Sequence, residues 1–252
     1  MMRGITDTVK HLIIINVIMF VGTLTIGTGE ELFYQWFALH FPQNELFKPW
    51  QIITHMFMHG GPMHILFNMF ALWMFGTAVE TQLGSKKFLF LYISAGLGAV
   101  LFQLGYYYFN YVPLYSELIS TGLTENGINT MLSTGQVPQG VPGLKQSVAQ
   151  EAFNIYHASM VGASGCIMGI LAAFGMMNPE AKLMLIFLPI PIKAKYFIPG
   201  IILLDVISAL TGQSFFSPSN TAYMAHVGGA LTGFLIMWYW KKNQFNQNRW
   251  DR

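Results

Sequence analysis

Long apolar runs separated by short polar intervals set the first expectation for this chain. Six of them approach the roughly 20 mostly apolar residues that a helix needs to cross a bilayer. They are Lys10–Thr28, Met63–Glu80, Phe88–Tyr108, Ala163–Met177, Tyr196–Thr211 and Tyr223–Trp240, of which the fourth and fifth are short. Between the first two, Gly29–Pro62 is rich in aromatics and broken by prolines at 42, 49 and 62. It therefore reads as an interfacial or partly inserted loop. Between the third and fourth, Asn110–His157 is polar, with Pro142–His157 patterned as a short surface helix. The expected fold is all-α: a polytopic six-transmembrane-helix bundle over 1–240, with 110–157 an extended outer loop and 241–252 a short basic tail.

Composition supports a lipid environment. Only 10% of the 252 residues are charged and 53% are hydrophobic, against about 25% charged in a soluble domain. The net charge of +2 is small and its basic residues dispersed, so nucleic acid is not an expected partner. The single cysteine, Cys166, excludes an internal disulfide. No small-residue cleavage site precedes Thr28, so the first run is expected to be a retained helix, and no presequence is visible. That pattern suits a bacterial plasma membrane.

Basic residues stay on the cytoplasmic side. Placing the N-terminus inside leaves only Lys48 and Lys145 of the 13 lysines and arginines outside, so both termini are expected in the cytoplasm. The second, fourth and sixth helices then run from outside to inside. Counting back from Lys86, Lys182 and Lys241 at ~1.5 Å per residue, His64, Ser164 and His226 lie roughly 22–33 Å above the inner surface. All three fall in the outer half of the membrane.

Two small-residue runs hold the candidate chemistry. Val161-Gly162-Ala163-Ser164-Gly165-Cys166-Ile167-Met168-Gly169 carries a serine, and Ala225-His226-Val227-Gly228-Gly229-Ala230 a histidine. A serine hydroxyl becomes a useful nucleophile when a neighbouring base takes its proton. Histidine suits that role and can return the proton to a leaving amine. Ser164 and His226 would form a dyad; no acid lies near enough in sequence to assign as a third member, and the position of Asp205 does not establish a contact. Gly165-xxx-Gly169 and Gly229-xxx-Gly233 allow close backbone approach in lipid, and either run alone reads more readily as a packing seam. His64 and Asn68, spaced i, i+4, share one helical face and are suited to holding a developing oxyanion or to bonding between helices. His55 and His59 have that spacing too, but no Glu follows the first, so a metalloprotease motif is absent and a structural role is favoured.

These pieces together resemble the rhomboid family of intramembrane serine proteases. The likeness is densest from Trp50 to Gly84, including Thr54-His55-Met56-Phe57-Met58-His59, His64-Ile65-Leu66-Phe67-Asn68 and Glu80-Thr81-Gln82-Leu83-Gly84-Ser85, and is completed by the Ser164 and His226 runs. The resemblance implies Ser164 as nucleophile, His226 as base, and oxyanion stabilisation by His64, Asn68 and the Ser164 backbone amide. It also implies substrate-binding positions at Gly162 and Met168, a structural glutamate at Glu80, and no cofactor or metal. Its implied partners are membrane-protein segments and the lipid bilayer, with access beside the fifth helix and a cap at Gly212–Thr221. Three departures stand out: Trp50-Gln51 where Trp-Arg is usual, Met168 where an aromatic is usual, and the long 110–157 interval. That interval reads as a solvated insertion or, more sharply, as a docking element leading to Ser164. The competing expectations are a non-catalytic rhomboid-like binder of membrane helices and a histidine-based proton transporter.

Overall fold

The computed structural model, which describes residues 4–26, 31–185, 188–213 and 221–247, is built almost wholly of helices. In chain order, α1 covers Asp7–Thr25 and α2 Glu31–Phe37; the short strand β1, Leu39–His40, precedes α3, Gln51–Thr54. A tight turn at His55–Phe57 leads to α4, Pro62–Ala71, which continues through a widened π turn, Leu72–Gly76, into α5, Thr77–Leu83. Pro62 sits in the first turn of α4, where its missing N–H costs no helical bond. The long α6, Ser85–Ser120, follows, then α7, Glu125–Thr134, α8, Gln146–Tyr156, β2, Ser159–Met160, and α9, Ser164–Met177. A hairpin of β3, Lys182–Leu185, and β4, Leu188–Lys193, joins α9 to α10, Ala194–Thr211; α11 is Tyr223–Gln247.

A helix occupies each of the six apolar runs, but the described residues do not establish six spans. Four segments are long and apolar enough to cross a membrane: Asp7–Thr25, Pro62–Leu83, Ser85–Ser120 and Ala194–Thr211. With 14 residues, α9 measures only about 21 Å. Protein buries every residue of it from Gly165 to Ala173, so its length need not match the hydrocarbon. The glycines, His226 and Thr232 of α11 dilute its apolar character.

The all-α expectation also misses two short antiparallel pairs. One sets Leu39 opposite Met160 and His40 opposite Ser159; the other is the β3–β4 hairpin. Pro189 and Pro191 remove N–H groups at alternate positions, which a helix cannot tolerate and an edge strand can. Glu180, just before this hairpin, pairs with Lys193 at 2.7 Å and Lys195 at 2.5 Å. These two ammonium groups hold its carboxyl down at about 2.

The interval 110–157 is folded, not an extended loop. α6 continues to Ser120, and its end packs with α7 and α8 around a separate core that includes Tyr111, Leu118, Ile128, Leu132 and Ala152. Buried positions recur at helical spacing, Ile128, Met131 and Leu132 on α7, then Val148, Ala149, Ala152 and Tyr156 on α8. The Thr124 hydroxyl accepts the Gly127 N–H to start α7, and Gly135, at φ 72°, ends it. α8 is the short helix expected over Pro142–His157, whereas many small polar residues mask the pattern of α7.

This outer unit grips the loop between α1 and α4. Phe41 from that loop enters its core, and the Asn44 side-chain amide donates to the Tyr156 carbonyl at 2.8 Å. Within the loop, Gln51 is fully buried. Its Nε2 donates to the Gln35 and Leu46 carbonyls, each at 2.9 Å, while its Oε1 accepts the Lys48 N–H at 3.0 Å. A single amide therefore satisfies backbone groups from three parts of the loop. At the opposite end of the bundle, Glu80 accepts from the Thr6 hydroxyl and the Thr8 and Val9 amides, which are the first groups of α1, and from the Ser85 hydroxyl. The carboxylate faces the positive end of α1, where negative charge is favoured.

Gln51→Ala leaves these backbone groups unpaired, and each buried orphan costs about 1–3 kcal/mol. A lowered thermal midpoint in detergent is expected. Gln51→Glu should be comparably destabilised, because a carboxylate offers no N–H to the two carbonyls.

Candidate active site

Close backbone packing creates the site. A side-chain carbon at Gly229 on α11 would overlap the Gly165 carbonyl on α9, and one at Gly233 would overlap that of Gly169. The two small-residue stripes thus lie against each other in matching order, so the helices run parallel. α6 completes the seam: Gly165 and Gly169 rest on Ala99 and Ala95, and Gly98 and Gly228 face each other. Absent side chains let the backbones meet. Gln103 of α6 accepts the Ala225 N–H at 3.2 Å, fixing the start of α11 one residue before His226.

Three helix starts now lie at one end of the bundle. Ser164 is the first residue of α9, His64 the third of α4 and His226 the fourth of α11. His226 Nε2 lies 2.9 Å from the Ser164 Oγ. Its Nδ1 lies 3.0 Å from Asp205 Oδ2 on α10. Both side chains of the latter pair are largely enclosed, 12% exposed for His226 and 5% for Asp205. The sequence leaves Asp205 without a contact; the fold gives it one. Its signal was present as a lone acid inside an apolar helix, where ionisable groups are costly and commonly functional.

His64 is oriented by its own turn. Its Nδ1 accepts the Gly60 N–H at 3.2 Å, so the neutral ring carries its proton on Nε2. That nitrogen lies beside Gly162: a side-chain carbon there would sit 2.9 Å from it and 3.6 Å from the Ser164 Oγ. Gly162 has φ 128°, a region that side chains disfavour, and its N–H donates to the His55 carbonyl at 2.9 Å. The open space beside Ser164 is therefore faced by the His64 N–H. The first amides of α9 add to it, because a helix start leaves N–H groups without internal partners.

Other sequence candidates fall into place differently. Asn68 turns onto its own helix, its amide donating to the His64 carbonyl at 3.0 Å; no hydrogen bond to Ser164 is present among the described residues. Met168 is buried in the main core with Ile167 and Leu171. His55 is spent structurally, its Nδ1 at 2.8 Å from the Gln51 carbonyl. His59 sits edge-on to His64 with ring centroids 5.1 Å apart. Most of the Gly212–Thr221 cap, residues 214–220, lies outside the described residues.

The sequence has relatives among known proteins. A family model described as "Rhomboid domain" matches residues 46–133 and 138–243. Rhomboid protein 1, mitochondrial, of Saccharomyces cerevisiae is 30% identical over 192 residues, 76% of this chain and 42% of that protein. Presenilin-associated rhomboid-like protein, mitochondrial, of Homo sapiens is 27% identical over 233 residues, 92% of this chain and 47% of the relative. Rhomboid protease GlpG of Salmonella newport is 39% identical over 69 residues, 27% of this chain and 25% of its own length. The chain thus spans less than half the length of these relatives.

Gly229→Ala is expected to force α9 and α11 apart and to cost about 1–3 kcal/mol, read as a lower thermal midpoint. Gly105→Ala, where nothing lies within 4 Å of the added carbon, should leave the midpoint unchanged or raise it by up to about 1 kcal/mol of stability.

Proposed function

The chain belongs to the rhomboid family, and from that premise we propose that it is an intramembrane serine endopeptidase acting on transmembrane segments of other proteins. The observation that carries this reading is the 2.9 Å approach of the Ser164 Oγ to His226 Nε2. Ser164 attacks the scissile carbonyl carbon as its proton passes to His226, and the carbonyl electron pair moves onto oxygen. The His64 Nε2–H and the Ser164 amide stabilise that oxyanion. Asn68 assists through its second amide hydrogen, and Gly162 leaves the space open. His226 then gives the proton to the departing amine. Water attacks the acyl-enzyme by the same route in reverse.

Lipid excludes the water that hydrolysis needs, so the site must hold its own. His59 supports this: both its ring nitrogens are buried and make no close hydrogen bond among the described residues, and ordered water commonly serves such groups. The proposed substrates have spans weakened by helix-breaking residues and a small residue at the cut, because a regular helix hides its carbonyls in internal bonds. Access is beside α10, which carries exposed positions from Lys195 to Thr211. In this reading the bundle has six spans with both termini cytoplasmic, and the site lies near the outer face. The expectation of a bacterial plasma membrane gains no support from the two mitochondrial relatives. A non-catalytic binder of membrane helices would have no use for the Ser164–His226 hydrogen bond.

Ser164→Ala should reduce cleavage of a single-span substrate by on the order of a thousandfold or more, with the thermal midpoint kept. Mass spectrometry of products from purified protein is the measurement, and persistent proteolysis would defeat the reading. Gly162→Ala is expected to impair cleavage severely as well, since the added carbon fills the space facing His64.

A further inference from the structure

We propose that Asp205 is a positioning residue for His226, so that Ser164, His226 and Asp205 act together as a triad. The inference rests on the protease reading above and deepens it.

The placement of Asp205 is specific. Along α10 the buried residues are Ala194, Ile198, Asp205 and Ser208, a single stripe at helical spacing turned toward the bundle. The rest of the helix is more open, with Leu203 59% and Leu210 80% exposed. An inward stripe on such a helix ordinarily holds small or apolar residues. A carboxylate there is costly unless it is partnered. The one hydrogen bond found for Asp205 among the described residues joins Oδ2 to His226 Nδ1, and the opposite nitrogen of the same ring faces Ser164.

In the proposed triad Asp205 acts as a carboxylate, and its contact with Nδ1 selects the tautomer. An ionised carboxylate only accepts hydrogen bonds, so Nδ1 must carry the ring proton when it faces Asp205. Nε2 is then left with a lone pair directed at the serine hydroxyl, the form in which His226 can act as base. During attack the Ser164 proton moves to Nε2 and the new C–O bond forms. The ring becomes an imidazolium flanked by the Asp205 charge, while the Nδ1 proton stays where it is. On collapse, Nε2 releases its proton to the leaving amine and the ring returns to its starting tautomer. In this scheme no proton passes from the ring to Asp205.

A purely structural role would use the same contact to fasten α10 to α11. The two roles separate experimentally in the full-length protein in detergent. Four forms are compared: wild type, Asp205→Asn, Asp205→Glu and Ser164→Ala. The measurements are kcat and KM on a single-span substrate, the rate of fluorophosphonate labelling at Ser164, and the thermal midpoint. Asp205→Asn keeps the shape but admits the wrong tautomer. It is expected to lower kcat and the labelling rate together by on the order of 10²–10⁴-fold, with KM and the thermal midpoint preserved and part of the rate restored in Asp205→Glu. Labelling of Asp205→Asn at the wild-type rate would overturn the proposal. So would a lost fold, or a rate loss that follows a fallen midpoint and a raised KM, either of which marks a fastener. If Ser164→Ala is inert while Asp205→Asn is fully active, only this inference fails; if Ser164→Ala still cleaves, the protease reading itself fails.

Discussion

Backbone contact between α9 and α11 sets the distance on which the candidate chemistry depends. Gly165 and Gly169 meet Gly229 and Gly233 with no side chain between them, and the hydroxyl and imidazole they carry into register are 2.9 Å apart. A methyl group in that seam would part the helices by an ångström or more. Misplacement on that scale can cost about 10²-fold in reactions that rely on orientation. Lipid offers no hydrophobic drive for helices to associate, so this contact must hold by close packing. The glycines serve stability and geometry at once, and α6 buttresses the pair through Ala95, Ala99 and Gly98.

A second organising feature is the common end at which α4, α9 and α11 begin. Helix starts carry partial positive charge and unpaired N–H groups. Gathering three of them around Ser164 makes the surroundings favourable to negative charge. His64 is held to one tautomer by the Gly60 N–H, and Asp205 faces the far side of His226. The polar groups of the site are therefore oriented by neighbours outside it, which is what preorganisation requires.

Both ends of the bundle are tied by buried polar side chains bonded to backbone groups. Glu80 closes the start of α1 at one end, and Gln51 gathers the first outer loop at the other. Gln51 stands where the family often has arginine, yet it supplies both donors and acceptors to the loop. The outer unit of α7 and α8 holds the same loop through Phe41 and Asn44. The strand that leaves this unit, Ser159–Met160, leads almost directly to Ser164. The loop, the α7–α8 unit and Ser164 are thereby mechanically linked.

Much of this was legible in the chain alone. Apolar run length located all six helical segments, and small-residue spacing marked Ser164 and His226 as lying on faces built for close approach. The i, i+4 relation of His64 and Asn68 is local, and local periodicity survives folding. Three features were not legible. Asp205 and His226 are 21 residues apart and lie on different helices, so no spacing rule links them. The helix expected over Pro142–His157 is present as α8, but the amphipathic pattern of α7 is diluted by small polar residues, and the apolar face the two share makes sense only once Phe41 arrives from another part of the chain. Whether α9 spans depends on what surrounds it, because a helix enclosed by protein need not match the hydrocarbon in length. Sequence determines periodicity and residue chemistry; which distant faces meet is decided by packing, and only packing could bring a third group to the histidine.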